Sequence, residues 1–395
     1  MYMDQLKRGL EKEGHEVEIL AKHPNLNGYY LVNSGKFINL NKIEKLVTNC
    51  INRSFSYLDP SYKRNEMNYY YFELAASYLN LEYYDLIHTQ DIFSTRLLSR
   101  VKPKNTPLVA SIHGCIATEY LIQKHNSSNT HLSKINQDFG WKYAHWQENI
   151  GASSSDKTIV ATQWLKDLLI NDFNVEEKQL TTIPYAQDIA DFRKRMTEPP
   201  PILAPSDKTV IVCPARLSFI KGHKYLLEAL AKLKSQHNNW VCWLVGDGNL
   251  RNELINMTRK LNLSNHVIFL GTQKNIPSIL KQADICVLSS LQESFPYAIM
   301  EAQIAGIPAA VTDVGGLTEA VTHGQTGLIS PKENSESLYR NIKELIENEH
   351  LRNTMAANAQ KWAMEKWGLE TMTAKTLAIY KQVIQTQNGD DVVEI

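Results

Sequence analysis

The sequence predicts an α/β protein built from two doubly wound, mainly parallel sheets. The chain has 395 residues, which is enough for two domains of ordinary size. Short apolar runs alternate with helix-compatible segments in both halves, a pattern typical of parallel strands joined by crossover helices. A proline-rich segment at residues 196–209 separates the halves. Because consecutive prolines prevent a regular helix, we place the boundary there, between domains at residues 1–195 and 196–366.

The composition excludes several classes of protein. Hydrophobic residues make up 43% of the chain, and 42 basic side chains balance 42 acidic ones. A nucleic-acid-binding domain usually carries a basic excess, so none is expected here. The five cysteines form no C-x-x-C pair, which favours reduced, buried thiols over disulfides or a zinc site. No apolar run approaches the roughly 18 residues of a membrane span, and no signal-peptide core is present. We therefore expect a cytoplasmic protein.

The first half begins with a short helix that has Leu6 and Leu10 on one face and Gly14 at its end. A strand is predicted at 15–20, followed by an irregular region from 23 to 80. Aromatic residues crowd the later part of that region: Phe55, Tyr57, Tyr62, Tyr69, Tyr70, Tyr71, Phe72 and Tyr78. Core packing is the expected role of these rings, and stacking on an acceptor sugar or lipid is the alternative. Further strands are predicted at 85–89, 107–112, 157–161 and 181–184.

The second half alternates more regularly between strands and helices. Strands are predicted at 210–213, 241–245, 267–270, 285–288, 309–312 and 328–329. Helices are predicted at 224–234, 250–261, 296–305, 335–348 and 351–366. Ligands of such sheets bind beyond the carboxyl ends of the strands, so the loops that lead from strands into helices are the places to look for a site.

One such loop begins at Glu293 and leads into a helix whose first turn suits Pro296. The free amides of a helix start can hold a diphosphate or a sugar oxygen. A carboxylate accepts hydrogen bonds from a vicinal diol. Glu301, inside the helix, is therefore a candidate for a ribose and Glu293 for hexose hydroxyls, with a solvated helix face as the alternative for either.

Two cations, Arg216 and Lys221, lie in the loop after an earlier strand, where they could hold a diphosphate and stabilise it as it leaves. Ordinary surface positions are the alternative. Gly246 and Gly248 form a third strand-to-helix turn that allows a close backbone approach. Neither G-x-G-x-x-G nor G-x-x-x-x-G-K-[ST] occurs, which disfavours classical dinucleotide and P-loop sites. In the first half, His88 and His113 fall where predicted strands meet loops; a structural role is the alternative for each.

The order R-x4-K-G, G-D-G, E-x7-E and G-G-x2-E, completed by Glu319, closely resembles the family 4 glycosyltransferases. These are retaining enzymes of the GT-B fold. The resemblance implies two Rossmann-like domains that face a central cleft, with a final helix at 367–387 returning to the first domain. It also implies that Arg216 and Lys221 bind donor phosphates, Glu301 the ribose and Glu293 the transferred sugar. Backbone contacts to the donor would come from Ser294, Phe295, Pro296 and Tyr297.

By the same resemblance, His113 contacts the reacting sugar or its acceptor, and His88, Gln90 and Asp91 line the acceptor side of the cleft. The implied reaction moves a sugar from a nucleotide-diphosphate donor, expected to be a UDP-sugar, to a glycan or lipid-linked acceptor. No bound metal is expected, since no D-x-D triplet occurs and the two cations would replace it. No cofactor is expected either. Bacterial envelope or spore polysaccharide is the implied destination, and peripheral membrane contact is compatible with it.

Two other functions fit the same residues. One is another GT-B enzyme, such as a nucleotide-sugar epimerase or a phosphorylase. The other is a catalytically silent protein that binds nucleotide sugars, and the apparent lack of the family's first strand and glycine-rich loop favours it. We hypothesise that the gene product starts upstream of Met1, which mass spectrometry of the native N-terminus tests. Similar enzymes also often have Asn-Gly where Tyr185 and Ala186 stand.

Overall fold

The computed structural model describes residues 2–55, 58–128 and 138–388. The helices are α1 (Tyr2–Lys12), α2 (Glu44–Ser54), α3 (Pro60–Ser77), α4 (Ile92–Val101), α5 (Ile116–Ser128), α6 (Phe139–Ser153), α7 (Gln163–Phe173), α8 (Ile189–Met196), α9 (His223–Lys234), α10 (Arg251–Lys260), α11 (Ile276–Leu280), α12 (Tyr297–Ala305), α13 (Leu317–Ala320), α14 (Ser335–Glu347), α15 (Glu349–Lys366) and α16 (Leu369–Asn388). The strands are β1 (Leu20–Lys22), β2 (Gly28–Leu31), β3 (Phe37–Asn39), β4 (Ile87–Thr89), β5 (Leu108–Ile112), β6 (Lys157–Val160), β7 (Leu180–Thr182), β8 (Thr209–Pro214), β9 (Trp240–Val245), β10 (Val267–Gly271), β11 (Ile285–Leu288), β12 (Ala309–Thr312) and β13 (Gly327–Ser330).

The first half is organised around a four-stranded sheet in the order β4-β5-β6-β7, with every pair parallel. Each strand was predicted as an apolar run, and β5 is buried along its whole length. Parallel strands need crossover connections, which here are the helices between them. As a result, the loops after all four strands leave from one edge of the sheet.

The segment before this sheet differs from the prediction of an irregular region at 23–80. It contains helices α2 and α3, and β1, β2 and β3 form a small antiparallel sheet. The predicted strand at 15–20 is also largely wrong, because regular strand begins only at Leu20. Helix α3 carries aromatic rings on all of its faces and has no apolar stripe, so its sequence lacks the usual helical periodicity.

Most of the described aromatic residues of this segment pack within the protein. Tyr69 stacks on Phe93 with ring centroids 4.7 Å apart, and Phe72 meets Tyr29 edge to face at 5.2 Å. Tyr78 is exposed, and Tyr57 lies outside the described residues. Packing in the first half therefore accounts for these rings without a ligand.

The second half forms a six-stranded parallel sheet in the order β10-β9-β8-β11-β12-β13. This is the strand order 3-2-1-4-5-6 of a Rossmann fold. The second-half strand predictions agree with the structure to within one or two residues at each end. Helices cover the sheet, and β8, β9 and β11 are almost completely buried.

The last helix returns to the first half. Helix α16 packs against α1, and the hydroxyl of Tyr380 lies 2.5 Å from His88 Nδ1 in β4. At the crossing point, the backbone N–H of Gln187 donates to the carbonyl of Trp367 at 2.9 Å. Among the described helices, none combines the length and apolar composition that a membrane span requires.

The contact between α1 and α16 predicts the effect of a single methyl group. A Cβ atom at Gly9 would lie 2.0 Å from Thr373 Oγ1, which is buried and donates to Leu369 O at 2.9 Å. We expect Gly9→Ala to lower the free energy of unfolding by about 1–3 kcal/mol, although alanine favours helix over glycine. Urea unfolding measures the change. Gly368→Ala is the control because its Cβ would have 3.8 Å of clearance; equal stability of both variants would contradict this contact.

Candidate active site

The strand order of the second sheet reverses between β8 and β11. These strands are direct neighbours, with Ile211 opposite Ile285, yet the chain continues from them toward different sides of the sheet. Such a reversal opens a crevice at the carboxyl ends of the two strands. The loop after β8 carries Arg216 and Lys221, and the loop after β11 carries Glu293 and Ser294. The sheet topology therefore brings the two strongest sequence motifs together.

The backbone of the loop that carries Arg216 packs against the G-D-G turn. The N–H of Leu217 donates to Asp247 O at 3.0 Å. A Cβ atom at Gly246 would lie 2.2 Å from Ala215 O, and one at Gly248 would lie 2.4 Å from Leu217 O. The two glycines thus permit a close approach to the loop of Arg216. The Arg216 side chain is exposed, and within the described chain its guanidinium makes no hydrogen bond or ion pair.

Lys221 and Glu293 form a charged pair across the crevice. Lys221 Nζ lies 2.6 Å from Glu293 Oε2, and the two side chains are only 18% and 12% exposed. Ser290 Oγ donates to the same carboxylate oxygen at 3.3 Å. Because the pair is largely shielded from water, its attraction is stronger than that of a surface salt bridge. An incoming diphosphate would compete with Glu293 for the Lys221 ammonium.

The loop Ser294–Tyr297 leads into α12, whose first helical residue is Tyr297; Pro296 immediately precedes it. The N–H groups at the start of α12 are a favourable position for an anion. Phe295 is buried, and the Tyr297 hydroxyl is buried without a hydrogen-bond partner among the described residues. One turn into the helix, Glu301 is 6% exposed, and burial raises its pKa to about 7, with Arg195 acting in the opposite direction.

On the first sheet, His113 follows β5 and uses both of its ring nitrogens. Gln90 Oε1 lies 3.2 Å from Nε2, and the Tyr185 hydroxyl is bonded to Nδ1. Since an amide oxygen only accepts, Nε2 carries the proton and Nδ1 accepts from Tyr185. Burial lowers the pKa of His113 to about 4. The imidazole is therefore neutral at neutral pH.

Two other residues predicted for the acceptor side are hydrogen-bonded to residues of the first half or of the returning helix α16. His88 binds Tyr380 through Nδ1 and Ser111 Oγ, at 2.8 Å, through Nε2. Burial lowers the pKa of His88 to about 3. Asp91 caps α4 by accepting from Ser94 N at 2.7 Å. Of the acceptor-side candidates, the structure places only Gln90 in direct contact with His113.

Tyr185 is where the two sheets meet. Its ring lies 4.5 Å from Phe295 and 5.0 Å from Tyr297, centroid to centroid, and its hydroxyl reaches His113. Tyr185 is 5% exposed. The sequence identified this position only as a departure from Asn-Gly, and no local pattern indicates contact with a loop more than 100 residues away.

Glu119 is a residue that the sequence analysis missed. It lies in the first turn of α5, and a Cβ atom at Gly114 would lie 4.0 Å from its carboxylate and 3.6 Å from Ser294 Oγ. Burial raises the pKa of Glu119, while the charges of Arg216 and Lys221 act to lower it. The sequence feature that could have identified Glu119 is its position, six residues after His113 at the carboxyl end of β5. Within the described ranges, no group of three or more His, Cys, Asp or Glu side chains is placed to hold a metal ion.

Comparisons with known proteins show what the chain is similar to. Residues 1–190 match the family model described as Glycosyltransferase Family 4, and residues 194–362 match Glycosyl transferases group 1. An uncharacterized glycosyltransferase of Methanocaldococcus jannaschii is 24% identical over 384 residues, which are 95% of this chain and 92% of that protein. UDP-Gal:alpha-D-GlcNAc-diphosphoundecaprenol alpha-1,3-galactosyltransferase of Escherichia coli is 25% identical over 320 residues, 78% of this chain and 77% of that protein.

Two solved structures share the fold. Sucrose-phosphate synthase of Thermosynechococcus elongatus matches with a TM-score of 0.71 at 17% identity. The match covers 98% of this chain and 93% of the synthase chain. HepE of Anabaena, in complex with UDP-glucose, matches with a TM-score of 0.65 at 21% identity. The match covers 79% of this chain and 82% of the HepE chain. The predicted fold, two Rossmann-like domains in the GT-B arrangement, is confirmed.

The contacts of Tyr185 predict two graded losses of stability. Tyr185→Ala removes a buried ring and should lower the free energy of unfolding by about 3–5 kcal/mol. Tyr185→Phe keeps the ring but leaves His113 Nδ1 without its donor, which should cost about 1–3 kcal/mol. Chemical denaturation measures both. Tyr83→Ala serves as the control because Tyr83 is 76% exposed. A loss at Tyr185→Ala no larger than at Tyr83→Ala would rule out the packed arrangement.

Proposed function

Because the chain belongs to the family 4 glycosyltransferases, with a group 1 domain in its second half, we propose that it transfers a sugar from a UDP-sugar to a glycan or lipid-linked acceptor. The anomeric configuration is retained. The observation that carries the proposal is the crevice between β8 and β11, where Lys221 and Glu293 are paired at 2.6 Å beside an exposed Arg216. Such a pair can exchange partners when a donor binds.

In the proposed exchange, Lys221 leaves Glu293 for the donor diphosphate, and Arg216 joins it there. A diphosphate carries more negative charge than a single carboxylate and can be bound by both cations, and charge-assisted hydrogen bonds make the exchange favourable. Glu293 is then free to accept hydrogen bonds from hydroxyls of the transferred sugar. The N–H groups of the loop Ser294–Tyr297 lie at the positive end of α12, where phosphate oxygens are stabilised.

The bond between the anomeric carbon and the donor phosphate oxygen breaks, and the acceptor oxygen bonds to the same carbon from the same face. The acceptor proton passes to the departing phosphate oxygen, so the products are the glycosylated acceptor and the nucleoside diphosphate. Arg216 and Lys221 stabilise the negative charge that develops on the phosphate. No separate carboxylate pair of the glycosidase type is needed for this route.

Glu301 is proposed to bind the ribose. It lies one turn beyond the phosphate-binding loop, and its largely buried carboxylate has an oxygen pair suited to a vicinal diol. UDP is the proposed nucleotide because the name of the E. coli relative specifies UDP-Gal and HepE was solved with UDP-glucose. Gly246 and Gly248 act indirectly, by fixing the loop of Arg216.

On the acceptor side, His113 and Glu119 lie near residues 293–297, which we call the donor loop, and Gln90 is hydrogen-bonded to His113. We assign neutral His113 a hydrogen-bonding contact with the reacting sugar or acceptor, and Glu119 a contact with acceptor hydroxyls. His88 and Asp91 support these residues from within the first half. The acceptor-side domain comprises residues 1–195 with the returning helix 367–387, and the donor-side domain comprises residues 196–366.

The acceptor class is proposed from the relatives. The E. coli galactosyltransferase is named for a diphosphoundecaprenol-linked sugar, and an N-acetylgalactosaminyltransferase of Campylobacter jejuni, 30% identical over 178 residues, is named for the same kind of carrier. A role in cell-envelope or spore polysaccharide synthesis, with peripheral contact to the inner face of a membrane, follows for this chain as part of the proposal.

The donor site is tested by measuring nucleotide affinities of the Lys221→Ala variant. Wild-type protein should bind one nucleoside diphosphate, and Lys221→Ala should weaken that binding about 10- to 100-fold because a charge-assisted hydrogen bond is lost. Isothermal titration calorimetry provides the dissociation constants. The matched control is Lys224→Ala, an exposed lysine three residues along the same segment, which should change affinity less than twofold.

Product analysis separates the competing functions. Transfer requires that release of the nucleoside diphosphate depend on an added acceptor and that the acceptor gain the sugar. Release or isomerisation of the donor without an acceptor would instead indicate another GT-B enzyme. Binding without any turnover across donors and acceptors would indicate a silent nucleotide-sugar binding protein. Absence of nucleotide binding by the folded protein would contradict the donor site itself.

Nucleotide binding should release protons through Glu301. Its pKa of about 7 in the free protein leaves the carboxyl about half protonated at pH 7. Ribose hydroxyls donate to the charged form and so lower this pKa, which should release about half a proton per nucleotide at pH 7. Calorimetry in buffers with different ionisation enthalpies measures the release. Glu301→Gln should abolish this component and leave only the proton that the phosphate itself exchanges; identical release in both proteins would exclude the assignment.

A further inference from the structure

Glu319 connects the two sheets through a pair of backbone hydrogen bonds. It lies in α13 of the second half, and its two carboxylate oxygens accept from the N–H groups at the start of α7 in the first half. Gln163 N donates to Oε2 at 2.9 Å, and Trp164 N donates to Oε1 at 2.7 Å. The partners are more than 150 residues apart in the chain, so the contact depends on how the two halves are placed.

Helix α7 does not need Glu319 for its own capping. Thr162, at the N-cap, accepts from Leu165 N at 3.2 Å, which satisfies the third free N–H of the helix. Glu319 takes the first two, which would otherwise be bonded to water. The carboxylate also lies at the positive end of the helix dipole. Its interaction therefore joins the two halves and is made in addition to the local cap by Thr162.

The turn that carries Glu319 is fixed against the donor loop. Gly316 N donates to Glu293 O at 2.8 Å. A Cβ atom at Gly315, where φ is +50°, would lie 2.0 Å from Glu293 O, and one at Gly316 would lie 2.3 Å from Ser294 O. The second of these positions is also only 2.8 Å from Thr162 Cγ2. The Gly315–Gly316 turn therefore fits between the donor loop and the start of α7, and no larger side chain fits there.

From this geometry we infer that Glu319 is a positioning residue that fastens the donor loop to the acceptor-side sheet. One continuous set of contacts runs from Glu293 through the Gly-Gly turn and Glu319 to α7. Beside it, Tyr185 and Gly114 bring His113 and Glu119 to the same loop. Holding α7 against this turn keeps the acceptor-side residues in a fixed position relative to the transferred sugar. The role depends on the proposed transfer only for its kinetic readout.

The test measures the distance between the two halves directly. Spin labels at Lys178→Cys and Lys332→Cys, both exposed positions, report on the first and second half. Cys50→Ser removes the exposed native thiol, and the other four cysteines are buried. Without nucleotide, and again with saturating UDP, Glu319→Ala should shift the ratio of the short-distance to the long-distance population about fivefold toward the latter, the size of effect that a lost helix cap produces.

The same variants separate an effect on kcat from an effect on nucleotide affinity. Glu319→Ala should reduce kcat for transfer about fivefold while the Kd for UDP changes less than twofold, because the nucleotide contacts on the second half are intact. Glu319→Gln keeps one acceptor oxygen on a side chain of the same length. It should restore part of the short-distance population and part of kcat. Asn334→Ala is the matched control, since Asn334 caps α14 through Ser337 N at 2.9 Å entirely within the second half.

Unchanged distances and an unchanged kcat in Glu319→Ala would overturn the inference. So would a lower melting temperature without any change in distance, or a loss of UDP affinity as large as the loss in kcat. If the wild-type protein shows no transfer, the distance measurement still decides the role of Glu319. Failure of the proposed function and failure of this inference are therefore distinguishable.

Discussion

The reversal of strand order between β8 and β11 is the constraint on which the rest of the molecule depends. Six parallel strands place all their carboxyl ends on one edge, and only at the reversal do two adjacent loops diverge and leave room for a ligand. Lys221 and Glu293 meet at 2.6 Å because their loops start from neighbouring strands. The topology thus brings opposite charges together at the proposed donor site.

The second constraint is that the first sheet presents its carboxyl edge to the same crevice. The centre of this junction is apolar and aromatic, with Tyr185 packed on Phe295 and Tyr297. Its rim is polar, and there Glu319 bonds the start of α7 in the presence of water. An apolar centre with a polar rim is the usual arrangement of an interface between separately folded units. Such a junction holds the halves together while leaving its rim contacts easy to exchange.

Charge in the crevice comes from few groups. His113 and His88 are neutral at neutral pH because burial lowers their pKa values to about 4 and about 3. Among the described residues, Arg216 and Lys221 are cations close to the donor loop, opposed by the carboxylates of Glu293 and Glu119. Because desolvation acts against ionised carboxyls and protonated imidazoles alike, the same burial that removes charge from the histidines raises the pKa values of Glu119 and Glu301.

The sequence by itself determined the strands of the second half, the loops at their carboxyl ends and the chemical groups in those loops. These features are local: a buried parallel strand is a short apolar run, and its C-terminal loop follows it directly. Helix α3 escaped prediction because its aromatic side chains cover every face. Only the tertiary structure decided that Tyr185 packs on the donor loop, that Glu119 faces Arg216 and that Glu319 caps a helix of the other half. Those partners are about 100 or more residues apart, and their contact follows from the packing of two sheets, which no local pattern encodes.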